Sequence, residues 1–463
     1  MARADISPVE LLESCIARID AVNPTVNAIV ANDYERARRE AAAAEKAVRE
    51  GADLPPLHGL PVGIKDLNAT EGLRTTWGSL LHADHVPDAD EALVARLRRA
   101  GAIIVGKTNT PEFGAGTNTT NKVYGPTRNP FDLERTSGGS SGGSAAALAT
   151  GMLPLCQGGD TGGSLRNPAT WCGVVGFRST PGLVPRENRT LNYTHFNVQG
   201  PMARRVADVA LMMTGMAADD PRDPLAWPCD PGAFANLTPM DLAGVRAAWT
   251  EDFGGAAPLD DGIRATFRNV VGALTGSFKS LDGRDPDFGD ARDSFWTLRC
   301  VNYLATHTAR YEAHRDKLSP NIIANVEAGQ TMSLADVSLA ETQWRRLYAD
   351  FQTFFEDLDV LIVPGNATPA FRIDDGIPKE VNGRKMDNYM DASLIRSALT
   401  LTGHPVLALP CGVDHLGLPF GVQLVGRRRG DMDLLRVAMS LEQTLARPGG
   451  PDRPVPNLEQ LTS

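Results

Sequence analysis

Apolar positions recur along this chain with two periods, one helical and one of short runs. Leu11, Leu12, Ile16, Ile19 and Val22 stand at helical spacing behind Ser7-Pro8-Val9-Glu10. That opening has the form of a capping box with proline at the first helical position, and it predicts a first helix. A charged stretch over 33–50, ending at Gly51, predicts a second helix on the surface. Asp90 to Gly101 predicts a third, with an N-cap aspartate, late arginines and a closing glycine. The run Ala102-Ile-Ile-Val105 behind it predicts a buried strand, and Gly59-Leu-Pro-Val-Gly-Ile-Lys65-Asp66 a short strand ending in charge. Further strands are predicted at 152–158, 173–178, 360–363, 406–409 and 420–425, and helices over 200–216, 261–280, 294–315, 333–357 and 431–446. Helices alternating with short apolar strands argue for a layered α/β/α fold. Strands that return after 350 predict one sheet built from both ends of the chain. The stretch 217–350, punctuated early by Pro, Asp and Trp, predicts an α-rich insertion or cap.

Composition narrows the function classes. The chain has 463 residues, 42% hydrophobic and 22% charged, which is ordinary for a globular protein. A net charge of −10 argues against a partner held by phosphate contacts, so no nucleic acid is expected. No run of 18 apolar residues predicts a membrane span, and Met1-Ala-Arg-Ala-Asp-Ile-Ser7 lacks the apolar core of a secretory signal. The expectation is a cytoplasmic protein. Its six scattered cysteines, none in a C-x-x-C pair, read as reduced core thiols.

The densest chemistry lies between Arg135 and Asn167. Two glycine–serine loops, Ser137-Gly-Gly-Ser140-Ser141-Gly-Gly-Ser144 and Gly158-Gly-Asp160-Thr161-Gly162-Gly163-Ser164-Leu-Arg166, flank the small-residue run Ala145–Gly151. Glycine permits positive φ and brings backbone N–H groups close to a ligand, and N–H groups turned inward bind anions. A hydroxyl beside such donors supplies a nucleophile and an oxyanion site, the two needs of acyl transfer. A flexible linker is the plain alternative, but this run leads into a predicted buried helix. Gly101–Thr108 matches a phosphate-loop pattern letter by letter, yet its variable positions are themselves the predicted strand, so the pattern lacks its context. Gly138–Gly142 matches a G-x-S-x-G elbow with Ser140 as nucleophile and His404 or His415 as candidate bases. That elbow needs a strand before it, and Asn129–Thr136 reads as a polar loop.

The whole set of motifs resembles the amidase signature family of serine hydrolases. The likeness rests on Gly63-Ile-Lys65-Asp66, Gly106-Lys-Thr-Asn-Thr-Pro-Glu-Phe-Gly114, Tyr124-Gly-Pro-Thr-Arg-Asn-Pro130, Ser137 to Arg166, and Gly421-Val-Gln-Leu-Val-Gly426. It implies one α/β domain over 1–463, an α/β/α sandwich around a central mixed β-sheet, with a variable cap at about 217–350. It also implies a Ser–Ser–Lys triad: Ser164 as nucleophile, Ser140 as bridging serine after a cis peptide bond, Lys65 as base. The oxyanion hole would be the N–H groups of Thr161, Gly162, Gly163 and Ser164, with Ser141, Asp160 and Arg166 in support. A free lysine of pKa ~10.4 is neutral in only about one molecule in a thousand near pH 7.4, so a base at position 65 is expected to be buried. Gly159 departs from the small hydroxyl residue usual before the loop aspartate.

The resemblance implies hydrolysis of a small-molecule amide or carbamate, with esters as a side activity, no cofactor or metal, and a homodimer among the assemblies allowed. Trp227, Trp249, Phe253, Phe295, Trp296 and Tyr303 are candidates for an aryl-accepting cleft, with core packing the plainer role for each. Tyr193–Phe196 and the segment 365–395 are expected at its rim. The amidase component of a tRNA-dependent amidotransferase is the alternative inside the family, and an inactive scaffold the alternative outside it.

Overall fold

In a computed structural model, which describes residues 6–447 and 450–462, eleven strands form one mixed sheet. In chain order they are β1 (Ile29–Asn32), β2 (Pro61–Lys65), β3 (Ile103–Thr108), β4 (Leu155–Asp160), β5 (Val175–Arg178) and β6 (Val198–Ala203). Then come β7 (Arg246–Trp249), β8 (Ser280–Gly283), β9 (Val360–Pro364), β10 (Val406–Val413) and β11 (Pro419–Gly426). Their order across the sheet is β1-β3-β2-β4-β6-β5-β10-β11-β9-β7-β8. Parallel pairs β3–β2–β4 and β9–β7–β8 lie toward the two edges, and antiparallel pairs join them through the middle. The N-terminal half and the C-terminal half thus meet at the β5–β10 seam, where Val406 faces Arg178.

Alternation along the strands makes the layers. Val62, Ile64, Ile104, Val360, Ile362, Leu407 and Leu409 join one core cluster, packed under α3 (Ala92–Arg99), α6 (Val206–Met216), α7 (Asp261–Ala273) and α12 (Asp431–Leu445). Their neighbours Ile103, Val105, Cys156 and Ala408 point to the other face, against α1 (Pro8–Val26), α2 (Tyr34–Arg49), α4 (Gly142–Ala149) and α5 (Arg166–Trp171). Leu361, Val363, Ala248 and Val425 share that second face with α8 (Ala291–His314), on which α9 (Pro320–Thr331) packs, α10 (Leu334–Phe354) and α11 (Leu394–Leu401). A period of two sends successive residues to opposite faces. With Val62 and Ile64 on the first face, Lys65 falls on the second, toward α4.

Helix α4 is buried at all eight positions, which is why it is built of glycine, serine and alanine apart from Leu148. A Cβ on Gly143 would stand 2.2 Å from the backbone nitrogen of Asn109, so no larger residue fits there. The capping box at α1 is present in both directions, Glu10 N–H to Ser7 Oγ at 3.2 Å and Ser7 N–H to Glu10 Oε2 at 2.8 Å.

Four readings of the sequence change. Residues 198–203 form a central strand, and α6 begins only at Val206. α3 begins at Ala92 without a side-chain cap, because Asp90 instead accepts from Glu71 N–H and pairs with Arg98. The 217–350 stretch adds β7 and β8 to the sheet edge besides its helices. Asp132–Thr136 is a strand, paired with Arg128–Asn129 in a hairpin outside the main sheet. The phosphate-loop match lies inside β3, where Lys107 Nζ is buried on Asn68 O and Thr70 Oγ1. All six cysteines are free. Among the described residues, no helix is long and apolar enough to cross a membrane.

Candidate active site

The two glycine–serine loops come together over the ends of β2 and β4. Lys65, the last residue of β2, is 1% exposed. Its Nζ lies 2.7 Å from Ser140 Oγ and 2.9 Å from Ser141 Oγ. Its backbone N–H is held by Gln157 Oε1 at 3.1 Å. Burial pulls the Lys65 ammonium down to about 7, against a smaller upward pull from Asp160. The Gly139–Ser140 peptide bond is cis, and Gly139 O accepts from Asn167 Nδ2 at 3.2 Å.

Asp160, the last residue of β4, organises the second loop. Its carboxylate accepts from Gly163 N–H at 2.9 Å and Leu165 N–H at 3.1 Å, and it pairs with Arg166 at 3.0 Å and Arg178 at 3.2 Å. Burial alone would raise its pKa, but the two guanidinium groups and the loop N–H donors hold it well below the usual carboxylate range. Gly163 has a φ of +117°, and a Cβ there would meet Arg396 Cδ at 2.7 Å. One of the four N–H groups implied for an oxyanion site is therefore committed to Asp160. Among the described residues those of Thr161, Gly162 and Ser164 have no partner. Ser164 O accepts from Ser141 N–H at 3.2 Å, which locks one loop to the other.

Removing one partner of a buried ion pair typically costs about 3–5 kcal/mol. Asp160→Asn keeps the shape and loses the charge facing two arginines. It should lower the unfolding free energy by an amount in that range, read from urea denaturation.

A cleft opens over this group, lined by Lys65, Ser140 and Thr161 to Ser164. Its wall also takes in Asp160, Phe113 and Gly114, the loop 186–197, α8, and Met390 and Arg396. Of the six aromatic candidates only Tyr303 lines it. Phe295 packs behind Gly162, Trp249 lies in β7, Phe253 packs on Phe288, and Trp227 lies under Arg429. Trp296 sits against Tyr389, 6.2 Å between ring centres. In the 193–196 segment Thr194 and Phe196 face the cleft, whereas His195 turns to Thr400 O and Trp344. Of the α8 contribution the sequence reading names only Tyr303, although Arg299, Asn302, Tyr303, Thr306 and His307 mark one helical face at i, i+3, i+4, i+7 and i+8. Neither candidate histidine reaches Ser140. His404 is buried between Gly426 O and Gln352, and His415 lies 3.9 Å from Asp260.

This site sits in a chain that the family model "Amidase" matches over residues 10–435. The protein belongs to the amidase signature family. An acylamidase of Rhodococcus erythropolis is 34% identical over 460 residues, covering 99% of this chain and 96% of the relative. A component of the glutamyl-tRNA(Gln) amidotransferase of Prochlorococcus marinus (strain MIT 9303) is 32% identical, over 95% of this chain and 94% of the relative. The crystal structure of a bacterial aryl acylamidase of the amidase signature family superposes with a TM-score of 0.88 at 27% identity, over 96% of this chain and 94% of that one. The mixed sheet between helical layers is that family's fold, and the chain is an enzyme of the amidase class.

Proposed function

We propose that the protein is a small-molecule amidohydrolase working through Ser164, Ser140 and Lys65. The observation that carries this reading is the buried Lys65 Nζ at 2.7 Å from Ser140 Oγ, in the same cleft as Ser164. Lys65 near neutrality has a lone pair to offer at ordinary pH. Ser164 Oγ attacks the carbonyl carbon as its proton passes to Ser140 and the proton of Ser140 passes to Lys65 Nζ. The carbonyl oxygen becomes an oxyanion, met by the N–H groups of Thr161, Gly162 and Ser164, while Gly163 N–H keeps Asp160 in place. Return of a proton through Ser140 to the amine nitrogen lets the C–N bond break. Water then attacks the acyl-enzyme by the same relay, and the carboxylic acid leaves. Ser141, Asp160 and Arg166 hold the loops.

The substrate proposed is an amide with an aryl or medium-chain part, seated on Phe113, Leu191, Phe196, Tyr303 and Met390, and carbamates or esters of like shape follow the same route. The acylamidase and aryl acylamidase relatives support this choice. The test is 4-nitroaniline release from a short acyl anilide and from the matched alkyl carbamate. Release that a fluorophosphonate blocks, with the adduct mapped to Ser164, is the expected result. An adduct on another residue sinks the assignment. The amidotransferase relatives carry the second reading. Glutaminase activity, or partner proteins that co-purify, would establish it in place of the first.

A further inference from the structure

The charge of the cleft runs against the charge of the chain. The protein carries −10 overall, yet the cleft wall holds Lys65, Arg186, Arg189, Arg299 and Arg396 against one carboxylate, Asp160. Asp160 is taken by Arg166 and Arg178, and Arg189 pairs with Asp223 at 2.7 Å. Arg299 has no such partner. It is 5% exposed, and its side chain donates only to phenol oxygens, Nη2 to Tyr389 Oη at 2.6 Å and Tyr303 Oη at 2.7 Å, and Nε to Tyr389 Oη at 3.2 Å. Its guanidinium lies over both rings, 4.6 Å from the centre of Tyr303 and 5.5 Å from that of Tyr389. Among the described residues no carboxylate pairs with it. Two turns along the same face of α8, His307 is 4% exposed, and its Nδ1 has no hydrogen-bond partner.

Burying a cation without a counter-charge is costly, whereas the same cation in a ligand cleft draws negative charge into it. Phenols and aromatic faces hold a guanidinium in place without neutralising it. Nε and Nη2 are spent on the phenols, and Nη1 keeps two N–H donors that can meet a carboxylate oxygen. We propose that Arg299 receives a carboxylate carried by the amide substrate, with His307 Nδ1 as a second polar contact. Arg299 is then a specificity-determining residue, and the substrate class is a half-amide or an amide of an amino acid. A role confined to holding Tyr389 against α8 would leave substrate charge irrelevant. This inference rests on the amidohydrolase reading above.

The experiment compares kcat/KM for the 4-nitroanilides of glutaric acid (as the free half-acid) and pentanoic acid. A second pair, N-acetyl-4-aminobenzoate and acetanilide, places the charge on the leaving side. We expect the wild type to favour one of the charged members by about tenfold or more, and Arg299→Gln to erase that preference, cutting kcat/KM for the charged member about tenfold more than for its neutral partner and mainly through KM. No preference on either side, or equal loss on both members of a pair, overturns the proposal. Fluorophosphonate labelling of Ser164 separates the two levels. Labelling without charge preference sinks only the carboxylate site, while no turnover and no labelling sinks the amidohydrolase reading and this one with it. Should Arg299→Gln fail to fold, the wild type alone decides. Glutarate must then slow labelling at concentrations where pentanamide does not, and equal protection by the two overturns the carboxylate site.

Discussion

Replacing Ser164 by alanine is expected to lower kcat for any amide the protein turns over by roughly 10^6-fold, the scale seen when a serine hydrolase loses its nucleophile. The side chain sits half-buried at the cleft wall, so removing its hydroxyl leaves no buried cavity and no orphaned partner. Unfolding temperature and circular dichroism should therefore match the wild type. The Asp160 network does not pass through the Ser164 hydroxyl, which keeps the second loop in place in the variant. Ser140→Ala is the necessary companion. It removes the nearer of the two hydroxyls on Lys65 Nζ and breaks the relay, but leaves a nucleophile that attacks activated esters slowly. The decisive comparison is a 4-nitrophenyl ester with both variants. Residual burst-phase acylation in Ser140→Ala and none in Ser164→Ala supports the assignment, and the reverse pattern makes Ser140 the nucleophile.

That Lys65, Ser140 and Ser164 meet in one cleft was legible because short motifs encode it: each loop carries its own glycines and serines. β2 fixes by simple alternation which face Lys65 must take. What escaped was structure made by close approach. β6 contains Gly200 and Pro201, both poor strand formers, so the run reads as the start of α6. The strand exists because Gly200 lets it pass Phe177, where a Cβ would stand 2.1 Å from the carbonyl oxygen. β7 is Arg246-Ala-Ala-Trp249, alanine-rich and four residues long, and its pairing with β9 on one side and β8 on the other makes it a strand. The cleft wall escaped for another reason. Its polar face on α8 was written at helical spacing, but a search led by aromatics passes over Arg299, Thr306 and His307. Tyr303 alone met both criteria.

Lys65 supplies the second large effect. Burial sets its folded-state value at about 7, so kcat/KM for an amide should rise with pH through about 7 and level off above it, because only the neutral amine accepts the proton. Lys65→Ala should cost amides about 10^3–10^4-fold and esters with good leaving groups far less, since an amine must be protonated to depart and an aryl oxide need not. Equal losses on both would remove the proton relay. Stability carries the same signature with its sign fixed. Between about 7 and the ordinary 10.5 the unfolded chain binds a proton at Lys65 that the folded chain has released, so stability rises with pH across that window. Below 7 both states are protonated and this contribution is flat at its lowest. The full swing is on the order of 5 kcal/mol, and Lys65→Met abolishes it. Urea titrations at pH 6.5 and 9.5 should therefore show the wild type losing ground to Lys65→Met at the lower pH. A parallel response of the two proteins would mean that Lys65 keeps an ordinary pKa in the folded state, and the lysine could not then serve as the base at neutral pH. Asp160 does not enter this comparison, because its depressed carboxylate titrates far below the window.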